Sequence, residues 1–206
     1  GRVTEGDIRF HGENLLGQSR EQWRQLRGTR MSMIFQDCGG TLNPIRRIGS
    51  QFVEYIRTHQ RTGKAEAWAQ ARAMLDKMQL ADSENIMKSY PHQLSGGMRQ
   101  RAGIAMAMTF EPELLLADEP TSALDVTVQA QIVREMLDLR DRFGTSIIIV
   151  THNLGVAAYM ADQLIVMQHG KVVDRGTREQ VLEHPTSAYT RSLLEAVPEL
   201  EGTRFV

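Results

Sequence analysis

The chain has 206 residues, room for one α/β domain with a sizeable core. Its 24 basic and 25 acidic residues nearly cancel, which argues against a general nucleic-acid binder, since such proteins carry a basic stripe. Cys38 is the only cysteine, so no intrachain disulfide forms, as suits a reducing compartment. The longest aliphatic runs, 114–117 and 147–150, are far too short to cross a bilayer. The opening GRVTEGDIRF holds no apolar stretch of a secretory signal. Any membrane role must therefore work through a partner.

In chain order, residues 6–10 read as a short strand bounded by Gly6 and Gly12. Ser19 and Gln22 make a capping box before a short helix that ends at Gly28. The apolar run 31–35 reads as a buried strand, and 37–44 (DCGGTLNP) as a loop. From about Ile48 to Phe110 the pattern is helical. Trp68, Ala71, Leu75 and Met78 share one face, and a further helix starts after Ser95. Beyond Pro112 strand and helix alternate. Leu114–Asp118 and Ser146–Val150 read as buried strands, and 126–142 as a helix burying Val128, Ile132, Met136 and Leu139. His169-Gly170 reads as the turn of a hairpin between Gln163–Gln168 and 171–175. Thr177 with Gln180 forms a second capping box. Apolar strands alternating with helices imply a parallel sheet covered on both faces.

Two motifs carry chemistry. LLLADEP (114–120) is an apolar strand ending in adjacent carboxylates, Asp118 and Glu119. At the C-terminal end of a parallel strand, Asp118 is placed to hold Mg²⁺ through water and Glu119 to orient or deprotonate an attacking water. Alone, the motif fits equally a strand followed by a solvated acidic turn. In LSGGMRQR (94–101), Ser95 is a good N-cap, and Gly96 and Gly97 let backbone approach a ligand. The exposed N–H groups of such a helix start can take a phosphate. Alone, this motif fits a plain capped helix. The remaining histidines show no metal-ligand spacing.

Together, LSGGMRQR and LLLADEPTSALD resemble the signature motif, strand carboxylates and D-loop of ATP-binding-cassette ATPases. MSMIFQD (31–37) resembles the family's Q-loop and gives Gln36; IIIVTH (147–152) resembles its switch strand and gives His152. LNP (42–44) and the tail HPTSAYTRSLLEAVP resemble the oligopeptide, dipeptide and nickel importer subfamily. The opening EGDIRFHGENLL is similar to the first of that system's two ATPase subunits. The chain departs from the pattern in Cys38-Gly39-Gly40 after FQD, in an insertion between HP and YTR, and in lacking a cysteine-rich tail, so no iron–sulfur cluster is expected.

The resemblance implies an α/β P-loop NTPase (RecA-like) parallel-sheet core with an α-helical subdomain. Residues 1–47 would be partial core with the Q-loop, 48–110 the helical subdomain ending in the signature, 111–176 core, and 177–206 a helical tail. It implies ATP and Mg²⁺, with Glu119, His152 and Gln36 catalytic, and Ser95, Gly96, Gly97, Gln100 and Asp125 on ATP or coupling the two sites. Asp118 and Gln36 would serve the metal. Head-to-tail pairing would set the phosphate loop of one subunit against Ser95, Gly96 and Gly97 of another. Implied partners are transmembrane permease subunits, a second ATPase subunit and, indirectly, an extracytoplasmic solute-binding protein, with no nucleic acid. The place of work would be the cytoplasmic face of a bacterial membrane.

One element is missing from the sequence. No GxxxxGK[ST] phosphate loop occurs; Gly63-Lys64 is followed by Ala65. The family carries that loop upstream of the segment matching 6–10, so truncation is expected, because Gln36, Asp118, Glu119, Asp125 and His152 are in place. Loss of a strand–loop–helix unit would leave weak nucleotide binding and exposed core surface. A degenerate, non-catalytic module is the alternative, and a soluble cassette ATPase of DNA repair or translation is the rival from another class.

Overall fold

The computed structural model describes residues 3–36, 38–122 and 124–196, with backbone only at 38 and 39. Asp37 of the Q-loop match, Ala123 of the D-loop match and the tail from 197 onward lie outside the described residues.

The expected first strand is a hairpin, β1 (Arg9–Phe10) with β2 (Glu13–Asn14), turning on His11 and Gly12, both at positive φ. Helix α1 (Arg20–Leu26) opens on the Ser19–Gln22 capping box. Strand β3 (Met31–Ile34) follows. The segment read as loop contains one helical turn, α2 (Cys38–Thr41), packed on a later helix; its Gly-rich sequence hides that tertiary contact. The helical stretch resolves into α3 (Ile48–His59), α4 (Lys64–Lys77), α5 (Ser83–Lys88) and α6 (Gly96–Met108). Ala71, Leu75 and Met78 are buried, with Trp68 half-buried on the same side. Next come β4 (Leu114–Asp118), α7 (Val126–Phe143) and β5 (Ser146–Val150). Helix α8 (Leu154–Met160), too short to show a period, was not legible in the sequence. The hairpin β6 (Gln163–Gln168) and β7 (Lys171–Thr177) turns on His169 and Gly170 at φ 51 and 76, as a two-residue hairpin of this twist requires. Helices α9 (Arg178–Glu183) and α10 (Ala188–Glu195) complete the described chain.

Strands β3, β4 and β5 form one parallel sheet in that order, while β6 and β7 form a separate two-stranded sheet. Ile34, Leu115 and Ala117 point into a core shared with Phe52, Leu75, Ile104, Ile132 and Met136. Contacts of α6 with β3 and α4 join the helical stretch to the sheet. The tail is tied by Asp174 of β7. Its carboxylate accepts from Thr186 N at 2.9 Å, Thr186 Oγ1 at 3.0 Å and Ser187 N at 3.1 Å. The Ser187 amide, first among these donors, holds its pKa below the ordinary aspartate value.

The sheet is not covered on both faces, as the apolar strands suggested. Strand alternation turns Met33, Ile148 and Val150 to the other side, where they are 44%, 55% and 58% exposed. Ile165 and Met167 of β6 are also exposed. No described element packs there, so an apolar surface stands open to water. Surfaces of this kind bind apolar dyes and promote association. Ile148→Thr keeps a β-branched strand residue while removing apolar area. It is expected to lower dye fluorescence on the purified chain and leave the thermal midpoint within about 2 °C; calorimetry and dye titration check this.

Candidate functional site

Parallel pairing puts the C-terminal ends of β3, β4 and β5 side by side. Ile34 is in register with Ala117, and Asp118 with Val150. The residues just past those ends are Gln36, Asp118 with Glu119, and His152. Gln36 is exposed, and Asp118 half-buried. Neither side chain has a hydrogen-bond or ion-pair partner among the described residues, so both stay available to a ligand.

Glu119 is different. Its backbone has φ 46, an unusual value for a side-chain-bearing residue and one that clusters at functional sites. Its N–H donates to the Val150 carbonyl at 2.8 Å. This bend carries the carboxylate across to the end of β5. There Oε1 accepts from His152 N at 3.0 Å and meets His152 Nδ1 at 2.6 Å. Glu119 is largely buried, at 16% side-chain exposure, whereas His152 is 78% exposed. The pair therefore presents its imidazole to solvent and holds its carboxylate at the sheet edge. No sequence separation within reach of a local rule joins residues 119 and 152; the sheet does so.

The signature residues form a second group. Ser95 caps α6, its Oγ accepting from Met98 N at 3.2 Å. The first-turn N–H groups of Gly96 and Gly97 have no intrahelical acceptor, and Ser95 and Gly96 are exposed. Gly97 has a packing reason as well: a Cβ there would lie 2.9 Å from Val128 Cγ1. The glycine thus lets α6 approach α7 closely, besides leaving backbone open. Asp125 is the N-cap of α7, accepting from Val128 N at 3.0 Å, and is exposed. Gln100, expected among the ATP contacts, is turned inward. It is 7% exposed, and its Nε2 donates to the Pro120 carbonyl. Its amide is thus committed to the loop after β4 and acts within the chain. These residues adjoin α7 and the loop 120–125; the strand-end group lies past β3, β4 and β5.

Two sets of contacts that sequence reasoning missed tie together the elements around these groups. Arg101 of α6 donates through Nε to Glu135 of α7 at 3.0 Å, with side chains only 14% and 3% exposed. Burial raises the Glu135 pKa, and the Arg101 charge opposes that rise. Gln129 reaches three separate partners around the loop and the switch segment. Arg99, by contrast, donates to the Leu94 carbonyl at 2.6 Å, a local tie before the helix. No group of three or more His, Cys, Asp or Glu side chains forms a metal-binding cluster among the described residues. No described helix is long and apolar enough to span a membrane.

A sequence model of the family described as ABC transporter matches residues 2–122. The chain belongs to the ABC transporter family. It is 47% identical over 198 residues to a probable peptide ABC transporter ATP-binding protein of Sinorhizobium fredii, covering 96% of this chain and 59% of that protein. To the oligopeptide transport ATP-binding protein of Haemophilus influenzae it is 44% identical, covering 97% and 62%. To the dipeptide transport ATP-binding protein of Lactococcus lactis it is 44% identical, covering 98% and 58%. The chain thus spans about three fifths of the length of these relatives. Among solved structures, it superposes at a TM-score of 0.75 on a dimeric ATP-binding cassette described as a post-hydrolysis state with bound ADP and phosphate. That match has 25% identity and covers 85% of this chain and 74% of the other. The fold is that of the ABC ATPase cassette.

The Arg101–Glu135 pair should matter to this cassette's rigidity. Arg101→Met leaves a buried carboxylate without its cation, expected to destabilise by about 3 kcal/mol in urea unfolding at pH 7. A carboxyl whose folded pKa is raised holds more protons folded than unfolded, so the loss should shrink as pH falls toward 5. Adding Glu135→Leu should recover most of it.

Proposed function

We propose that this chain is part of the ATP-hydrolysing motor of an ABC importer of peptides or related solutes. The observation that carries the reading is the Glu119–His152 pair at the sheet edge, beside Gln36 and Asp118, whose side chains have no partner among the described residues. Importer relatives at 44–47% identity over nearly the whole chain support it.

In this reading, ATP lies between two subunits in head-to-tail contact. The start of α6 offers Ser95 and the N–H groups of Gly96 and Gly97 to the γ-phosphate, where the helix dipole favours negative charge. The exposed start of α7, with Asp125 and the 76%-exposed Val126, faces the partner subunit. Glu119 receives the proton of the attacking water, and its strained backbone fixes the carboxylate toward that water. His152 leaves Glu119 Oε1 to contact the γ-phosphate when nucleotide arrives. Asp118 and Gln36, oxygen-bearing and without partners among the described residues, suit a hard cation. Mg²⁺, if held there by Asp118 and Gln36, would supply charge neutralisation to the phosphate.

The sequence contains no phosphate loop, and the sheet is divided. The apolar face bearing Met33, Ile148 and Val150 stands open, and β5 and β6 belong to separate sheets. In this reading the open face is where a strand–loop–helix unit carrying that loop would pack. This supports the view that the 206 residues alone bind ATP weakly and do not hydrolyse it. Partners are permease subunits and a second ATPase subunit, and the place of work is the cytoplasmic membrane face.

Calorimetric titration of the isolated chain with Mg-ATP is expected to show no binding tighter than about 1 mM; micromolar affinity sinks the claim of deficiency. In an assembled importer whose ATPase subunit carries these residues together with a phosphate loop, Glu119→Gln should lower hydrolysis at least ~100-fold while permease association survives. Retained turnover there sinks the assignment of Glu119.

A further inference from the structure

Residues 119–122 make a tight turn, and 124–125 lead into α7. Ser122 N donates to the Glu119 carbonyl at 3.2 Å, and Leu124 N to the Thr121 carbonyl at 3.2 Å. Turns of this length leave carbonyls that need outside donors when buried, and Thr121 is only 3% exposed. The donors come from two glutamines on two helices. Gln100 of α6 donates to the Pro120 carbonyl. Gln129, one turn into α7, folds back over the helix start. Its Nε2 donates to the Thr121 carbonyl at 2.8 Å and to the Leu124 carbonyl at 3.1 Å.

The other end of the same amide reaches further. Gln129 Oε1 accepts from Asn153 Nδ2 at 3.3 Å. Asn153 follows His152 directly and caps α8, its Oδ1 accepting from Gly155 N at 3.0 Å and Val156 N at 3.2 Å. Its backbone N–H is held by Thr151 Oγ1 at 3.0 Å. With Oδ1 fixed on two amides, Nδ2 must face the other way, toward Gln129. Only one orientation of each amide satisfies every partner, so the network fixes both. A single side chain therefore joins the segment that carries Glu119 to the segment that carries His152.

We propose that Gln129 is a positioning residue. It holds the turn between Glu119 and Asp125 and, through Asn153, sets His152 against Glu119. Its bearing on hydrolysis rests on the reading of Glu119 and His152 given above; the linkage itself does not. With Gln100 tied to the same turn from α6, a displacement at the signature reaches Pro120 directly and the switch segment through Gln129. A leucine at 129 fills similar volume but can neither donate nor accept.

The test is residue-resolved amide exchange on the chain without nucleotide, read at His152, whose N–H donates to Glu119. Gln129→Leu is expected to speed exchange at His152 about tenfold while Leu115 and Ala117 in β4 exchange as before. Asn153→Ser keeps an N-cap acceptor for α8 but is too short to reach Gln129, so it should give the same local effect and serves if Gln129→Leu folds poorly. The double variant should be no faster than either single one. Unchanged exchange at His152, acceleration of the β4 amides to the same degree, or fully multiplying effects in the double variant each overturn the proposal. Because no nucleotide is present, this result stands or falls apart from the ATPase reading, which the Mg-ATP titration and Glu119→Gln address.

Discussion

Parallel register across β3, β4 and β5 is the constraint on which the site depends. It aligns three strand ends at one edge, so that residues 36, 118, 119 and 152 become neighbours although up to 116 positions separate them. Shifting β4 by one residue would move Leu115 and Ala117 out of the core and turn the Asp118-Glu119 corner to the wrong side. The buried residues Ile34, Leu115 and Ala117 therefore hold the chemistry in place without touching it.

At that edge the backbone bends sharply at Glu119, and the bend is supported from several directions. Its amide is bonded to Val150, its carboxylate to His152, and its following turn to Gln100 and Gln129. A left-handed residue bearing a side chain persists only when its surroundings over-determine it. The Arg101–Glu135 pair and the contact of Gly97 with Val128 then lock the signature helix to the helix that follows this turn. Side-chain hydrogen bonds and packing thus link the start of α6, the turn after Glu119 and the segment around Asn153.

Much of the architecture was legible because it is local. Ser19–Gln22 and Thr177–Gln180 cap their helices as read, since a capping box needs four residues and no tertiary partner. His169-Gly170 turns its hairpin for the same kind of reason. The periodic face of α7 is buried at Ile132, Met136 and Leu139. Short elements were not legible: α2 and α8 have too few residues to show a period, and tertiary contact forms them. Apolar strands report a capacity for burial on both faces, but Ile148 and Val150 have no neighbour among the described residues to use it, and what stands there is the exposed core surface expected from the missing unit.

Sequence by itself determined which chemical groups are present and their local settings. It supplied the Asp118-Glu119 corner, the Ser95 cap with its two glycines, His152 after an apolar strand, and the lack of a phosphate loop. Tertiary structure decided which of them act together. It joined Glu119 to His152, turned Gln100 inward to Pro120, gave Asp125 a capping role, and made Gln129 a bridge. The reason is physical. Caps and turns are settled by interactions a few residues long, whereas a hydrogen bond between positions 119 and 152 exists only once β4 and β5 have paired in register.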